Sequence, residues 1–180
     1  MARAEPPRGL LLGAALLVML AGCDAGREAG VDTPDGWRTV TFDRCCQINL
    51  PPSLREIPKP AGVADQTFMG FGNGSAEITF EYRPQVGFPE GALGQSGWSK
   101  ASITVDGRDA ELVKYDARDD FSGGRTLRLR VTLPDEPTFQ SEPTASKGME
   151  LGATGHCRDD TSCAVVEQIY QSIDFPPLRR

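Results

Sequence analysis

The sequence has little of what marks several common classes of protein. Its 180 residues include one histidine, and aromatic residues make up only 7% of the chain. Basic residues do not dominate, because 19 Lys and Arg are set against 25 Asp and Glu, a formal net charge of −6. Since nucleic-acid-binding domains normally carry a basic surface, this balance argues against a nucleic-acid partner. A transmembrane helix needs about 20 apolar residues, and the longest apolar run, residues 10–20, is too short to span a bilayer.

Catalytic and cofactor-binding motifs are also missing. The glycine-rich segment 70–74 is not followed by the Lys-Ser/Thr of a phosphate-binding loop, and the chain has no Gly-x-Ser-x-Gly elbow. Candidates for a carboxylate-based hydrolase are Glu77 and Glu81, which share one face of a predicted strand, with His156 as a general base. The simpler interpretation is a solvated strand face. We therefore predict no catalytic residue, no metal site and no cofactor.

The N-terminus has the composition of a targeting segment. Arg3 and Arg8 precede the apolar run 10–20, and the small residues Ala21 and Gly22 lead to Cys23. This arrangement resembles the lipobox leader of bacterial lipoproteins. The resemblance implies that the thiol of Cys23 carries a diacylglyceryl group and that residues 1–22 are removed as a signal peptide. The alternative is an ordinary signal peptide, or a core helix, in which the cysteine occurs by chance.

Lipid attachment would fix the place of the protein in the cell. Each buried CH₂ group contributes about 0.8 kcal/mol, and two or more acyl chains hold a protein stably on a membrane. Residues 23–36 are small, polar and aperiodic, as expected for a flexible tether. We thus expect a lipid-anchored domain that faces the periplasm or the exterior, with the choice between inner and outer membrane left open.

Residues 37–175 are predicted to form a single α+β domain, followed by a short tail at 176–180. Alternation of apolar and polar residues favours half-buried strands in an antiparallel sheet. Strands are predicted at 37–42, 46–50, 66–71, 76–82, 98–105, 109–115, 125–133 and 149–155, and a Pro-rich connection at 51–60. Gly72-Asn73-Gly74 and Asp106-Gly107 predict hairpin turns. Apolar residues at helical spacing predict one helix over 162–173. The expected architecture is an antiparallel sheet of about seven to eight short strands with the C-terminal helix packed on one face.

Three segments of this domain carry a weak family resemblance. They are INLP at 48–51, VDGRDAELVKY at 105–115 and IYQSIDF at 169–175. Their order resembles that in small secreted bacterial domains with the sheet-and-helix fold of PsbP and Mog1 proteins. The resemblance implies roles in binding and assembly that are mostly non-catalytic, and it assigns no functional residue to a position of this chain.

The four cysteines of the domain predict disulfide bonds, because an even number is typical of exported chains. We favour Cys157–Cys163, where a strand end meets the helix start; closing a loop of about seven residues stabilises by roughly 2–2.5 kcal/mol. Cys45 and Cys46 would then form a vicinal disulfide or stay reduced. The alternative is two cross-links between the two pairs. A zinc site that includes His156 is disfavoured, because the spacing does not match the usual Cys-x₂₋₄-Cys.

These features predict a membrane-anchored envelope protein that binds another envelope protein without catalysing a reaction. An accessory subunit and an immunity protein that neutralises a toxin both fit. The loops at 83–97 and 134–147 are the expected binding surfaces, since long loops in compact domains are often functional; plain solvated connections are the alternative. A small-ligand or metal carrier and a carboxylate-based hydrolase are the competing functions, and the oligomeric state is left open.

Overall fold

The computed structural model describes residues 34–42, 45–62, 68–84, 86–87, 94–117, 124–133 and 148–176. This part of the chain forms nine strands followed by one helix. The strands are β1 (Arg38–Phe42), β2 (Cys46–Leu50), β3 (Arg55–Glu56), β4 (Phe68–Gly72), β5 (Ala76–Arg83), β6 (Ser99–Val105), β7 (Arg108–Asp116), β8 (Arg125–Leu133) and β9 (Met149–Cys157), and the helix is α1 (Asp160–Gln171).

The strands form two antiparallel sheets. β1 and β2 pair as a hairpin, and the other seven form a sheet in the order β3-β4-β5-β9-β8-β7-β6. With α1 against the larger sheet, the predicted α+β class and C-terminal helix are confirmed. Within the segment 51–60, predicted as a connection only, residues 55–56 add the edge strand β3, and the amide of Ile57 also donates to the carbonyl of Gly70 at 2.9 Å.

Two tight turns lie where the sequence predicts hairpins. Between β4 and β5, the side-chain oxygen of Asn73 accepts from the amides of Ser75 and Ala76, both at 3.0 Å. Between β6 and β7, Asp106 and Gly107 both have positive φ, 48° and 71°. Two consecutive residues with positive φ make the turn whose twist matches that of the flanking strands, which explains the Asp-Gly pair.

Helix α1 begins two residues earlier than predicted because its cap lies earlier. Asp159 is the N-cap, and its carboxylate accepts from the amide of Ser162 at 2.7 Å while the Ser162 hydroxyl accepts from the Asp159 amide. This reciprocal pair satisfies two amides that the first turn leaves without helical partners. It also holds the pKa of Asp159 below its ordinary value, mainly through the Ser162 amide.

The core lies between the larger sheet on one side and α1 with the β1–β2 hairpin on the other. We call the side of the sheet that faces this core the inner face. The buried hydroxyl of Tyr170 on α1 donates to the carbonyl of Leu127 on β8 at 2.9 Å. The β1–β2 hairpin is joined to the segment that follows α1 by two backbone hydrogen bonds between Gln47 and Asp174, at 2.8 and 2.9 Å. One face of every central strand is thereby removed from water, as the alternation predicts.

Candidate functional site

The predicted lipid attachment site, Cys23, lies outside the described residues, as does the rest of 1–33. Among the helices that the structure does describe, none is both long enough and apolar enough to cross a membrane.

The cysteines of the domain form two local pairs. Cys157 at the end of β9 and Cys163 in α1 are joined by a disulfide with a Cα–Cα distance of 5.1 Å, the pairing that the sequence favours. This bond leaves no place for cross-links from Cys45 and Cys46 to the C-terminal unit. The Sγ atoms of Cys45 and Cys46 lie 2.7 Å apart, and both residues are buried.

The face of the larger sheet opposite α1, here called the polar face, carries most of the functional candidates. Cross-strand partners share a face, so strand register shows which side chains are neighbours. One row on this face runs through Glu81, Gly152, Arg130, Glu111 and Ser102 on successive strands. The row two residues along each strand is formed by Thr79, Thr154, Arg128, Val113 and Lys100.

Charges on the polar face largely neutralise one another. Glu111 on β7 forms ion pairs with Lys100 on β6 and Arg130 on β8. The Lys100 hydrogen bond is the main reason that the pKa of Glu111 lies below its ordinary value, and Arg130 adds to the effect. Glu81 pairs with Arg83 at 2.8 Å. The face is therefore charged but balanced, which suits recognition of another polar surface better than capture of a single ion.

Residues 86–87 lie across this face. The amide of Val86 donates to the carboxylate of Glu150 at 2.8 Å, and the guanidinium of Arg128 donates to the carbonyl of Gly87 at 2.8 Å. Val86 itself is 6% exposed, and its Cγ1 lies 2.3 Å from where a Cβ on Gly152 would stand. Gly152 is thus needed for the close approach, a role that the sequence analysis missed although glycine inside a strand was its signal.

Strand register places the start of one long loop beside both ends of the other. Arg83, the last residue of β5, is the partner of Glu150 on β9, which is also the partner of Thr132 on β8. Leu133 ends β8 opposite Met149, the first residue of β9. The connection 134–147 therefore starts and ends at the end of the sheet where the connection 83–97 starts. The connection 83–97 ends at the opposite end, beside Asp116. Residues 134–147 and 88–93 lie outside the described residues.

The predicted hydrolase residues do not assemble around one reacting centre. Glu77 and Glu81 are four residues apart on β5, about 13 Å along an extended strand, and Glu81 is engaged with Arg83. Glu77 lies opposite His156, whose Nδ1 is 3.0 Å from the hydroxyl of Thr126. That hydroxyl belongs to a residue that is only 2% exposed, so a substrate has little access to it. In the described part of the chain, no three His, Cys, Asp or Glu side chains are grouped to hold a metal ion.

Comparison with known proteins gives a likeness of fold. No protein-family model matches the chain, and no curated protein matches its sequence. Among solved structures, LpqN, described as involved in cell envelope biogenesis of Mycobacterium tuberculosis, is similar with a TM-score of 0.50 and 12% identity over 78% of this chain and 91% of LpqN. A protein from Bacteroides thetaiotaomicron gives a TM-score of 0.44 and 10% identity, over 75% of this chain and 46% of that one.

A protein of unknown function from Pseudomonas aeruginosa gives a TM-score of 0.38 and 11% identity, over 78% of this chain and 98% of that one. At these identities only the TM-score of 0.50 with LpqN supports a structural argument, and it concerns the arrangement of sheet and helix. The chain is thus similar in fold to LpqN, a protein described as involved in cell envelope biogenesis.

Proposed function

We propose that this protein is a lipid-anchored envelope module that binds another envelope protein and catalyses no reaction. The observation that carries the proposal is that the long connection 134–147 starts and ends at the end of the sheet where the long connection 83–97 starts, beside a face of balanced charges. Arg83 and Thr132 mark this end, and we call it the loop end. A surface built from several loops on a rigid sheet is a common arrangement for recognition.

The leader and the structural likeness support the envelope location. The lipobox-like segment ending at Cys23 predicts attachment to lipid, and LpqN, similar in fold, is described as acting in cell envelope biogenesis. The polar face supports a protein partner, because ion pairs such as Glu111 with Arg130 present both signs of charge close together. Complementary charge patterns give specificity and orientation in protein complexes.

The location is tested by fractionation of cells that produce the full chain or its Cys23→Ser variant. We expect the parent protein in the membrane fraction, with a diacylglyceryl group on an N-terminal Cys23 found by mass spectrometry. The variant should carry no lipid, because a serine hydroxyl cannot form the thioether, and it should keep residues 1–22, because removal of the leader follows lipid attachment in this class. A parent protein with no lipid on Cys23 would rule out the lipid anchor.

The binding surface is tested with a photo-crosslinking amino acid placed at single positions in the living cell. Arg83 and Thr132 are the test positions at the loop end; Gln168 and Gln171, exposed on α1, are matched controls. We expect one dominant crosslinked protein from the test positions and none from the controls. The same crosslinks from α1, or none at the loop end, would contradict the proposed surface.

A further inference from the structure

Cys45 and Cys46 lie at the end of the β1–β2 hairpin, in an arrangement that an extended strand does not allow. In a strand, neighbouring side chains point to opposite faces. Here only Cys46 belongs to β2, opposite Phe42, while Cys45 is still in the turn and its amide donates to the Phe42 carbonyl at 3.0 Å. Both side chains therefore enter the core, where Cys45 is 4% and Cys46 is 2% exposed.

The two sulfur atoms are nearly within bonding reach. Their separation is 2.7 Å, and a disulfide joins sulfurs at about 2.05 Å. A side-chain movement of less than about 1 Å would close that difference. The other two cysteines of the domain, Cys157 and Cys163, are already joined to each other, so a bond between Cys45 and Cys46 completes the pairing with no other partner needed.

We propose that Cys45 and Cys46 are oxidised to a vicinal disulfide in the mature protein. The inference rests on the envelope location of the proposed function, because oxidising compartments maintain disulfides. The oxidant is a disulfide-bearing oxidoreductase or a small-molecule disulfide. Buried thiols react slowly, so the bond forms as the chain folds, before the core closes over Cys45 and Cys46.

The step is an ordinary thiol–disulfide exchange. One cysteine loses its proton, and its thiolate attacks a sulfur of the oxidant, forming a mixed disulfide and releasing the first oxidant thiolate. The neighbouring cysteine, also deprotonated, then attacks the protein sulfur of the mixed disulfide and displaces the second oxidant thiolate. Two electrons and two protons pass from the cysteine pair to the oxidant, which leaves as two thiols.

The chain offers a direct test by peptide mass. Trypsin cleaves after Arg44 and Arg55, so residues 45–55 form one peptide that contains both cysteines and no other. The full chain, purified in detergent, is fully reduced under denaturing conditions and refolded in excess glutathione disulfide. It is then quenched in acid, denatured, treated with N-ethylmaleimide and digested without reduction. We expect this peptide to be unlabelled and two hydrogen masses lighter than its dithiol form, and to take two labels after reduction.

Matched variants make the result specific. Cys46→Ser should leave Cys45 as a thiol that is labelled or carries glutathione, and the double variant Cys157→Ala, Cys163→Ala should leave the 45–55 peptide closed. In the parent protein, two labels on the unreduced 45–55 peptide, glutathione on either of its cysteines, or a link to the peptide of Cys157 would each overturn the proposal. Because this assay needs no membrane, its failure is distinguishable from failure of the Cys23 fractionation.

Discussion

Single residues in the core show how polar groups are accommodated there. Tyr170 is 1% exposed, and its hydroxyl donates to Leu127 across the interface between α1 and the sheet. Burial without a partner would cost free energy, and a bond to a strand carbonyl removes that cost. The sequence places Tyr170 on the apolar side of the helix but does not show which carbonyl accepts its hydrogen bond.

Replacing Tyr170 by Phe tests this bond with little change in shape. We expect Tyr170→Phe to lower the free energy of unfolding by about 1 kcal/mol, the usual net value of one hydrogen bond. Urea denaturation at neutral pH measures the difference. An unchanged or raised free energy of unfolding would show that the hydroxyl contributes nothing to stability there.

Tyr170 should also make stability depend on pH in the alkaline range. Burial raises the pKa of Tyr170 well above its ordinary value in the folded protein, whereas the unfolded chain ionises near pH 10. Above that pH the unfolded state binds fewer protons than the native state, so the free energy of unfolding falls as pH rises. The difference in free energy of unfolding between the parent and Tyr170→Phe should therefore decrease as the pH rises from about 8 to about 11. Urea denaturation at several pH values measures this difference, and a difference that does not change with pH would contradict the prediction.

At the scale of elements, the central strand β9 explains a composition that looked unfavourable for a strand. Gly and Ala weaken strand propensity, yet β9 is the fourth of seven strands. Val86 approaches Gly152 on the polar face, and Val166 approaches Gly155 on the inner face. The small residues are required because Val86 and helix α1 pack closely against opposite faces of this strand.

Gly155→Ala tests the contact between β9 and the helix. An added Cβ would lie 2.5 Å from Val166 Cγ1 and 2.9 Å from the Tyr170 hydroxyl oxygen. Overpacking of this kind destabilises by about 1–3 kcal/mol, and chemical denaturation should detect it. Gly87→Ala is the control, because nothing lies within 4 Å of a Cβ there; equal effects of the two substitutions would refute the packing argument.

The disulfide between β9 and α1 is a second feature that stabilises the contact between these two elements. Cys157 and Cys163 are six residues apart in sequence, so the bond closes a short loop. Replacing both by Ala should lower the free energy of unfolding by about 2 kcal/mol through added freedom of the unfolded chain. The denaturation midpoint of the double variant measures this, and an unchanged midpoint would mean that the helix start needs no covalent support.

The whole molecule shares one core between the sheet, the hairpin and the helix. Trp37 precedes β1 and packs against this core, whereas Trp98 lies beside β6 at the far edge of the sheet. If both regions depend on the same buried residues, they should unfold together. Two-state unfolding is the usual behaviour of a single domain of this size.

Two single-tryptophan variants test this cooperativity. Trp37→Phe leaves Trp98 as the fluorescent reporter, and Trp98→Phe leaves Trp37. In each variant, the urea midpoint from fluorescence should coincide with that from far-UV circular dichroism, because each reporter follows the same global transition. Separate midpoints for fluorescence and circular dichroism would indicate that the hairpin or the β6 edge unfolds independently.

The sequence by itself determined the local structure. The alternation from Leu127 to Leu133 predicted β8, and Asn73-Gly74 and Asp106-Gly107 predicted the hairpin turns. Apolar residues at helical spacing predicted the helix, although α1 ends at Gln171, two residues before the predicted end. These features depend on residues close in the chain, whose preferences act wherever the segment lies. The strand β3 was not predicted, because a strand of two residues is too short to show an alternating pattern.

Only the tertiary structure decided which strands are neighbours, and with them the candidate site. β9 lies between β5 and β8, which brings the start of the connection 83–97 beside the ends of the connection 134–147, near Arg83 and Thr132. The tertiary structure also buries the side chains of Cys45 and Cys46 in the core. Strand order depends on which apolar faces can be buried together across distant parts of the chain. The preferences of residues close in the chain do not determine that order.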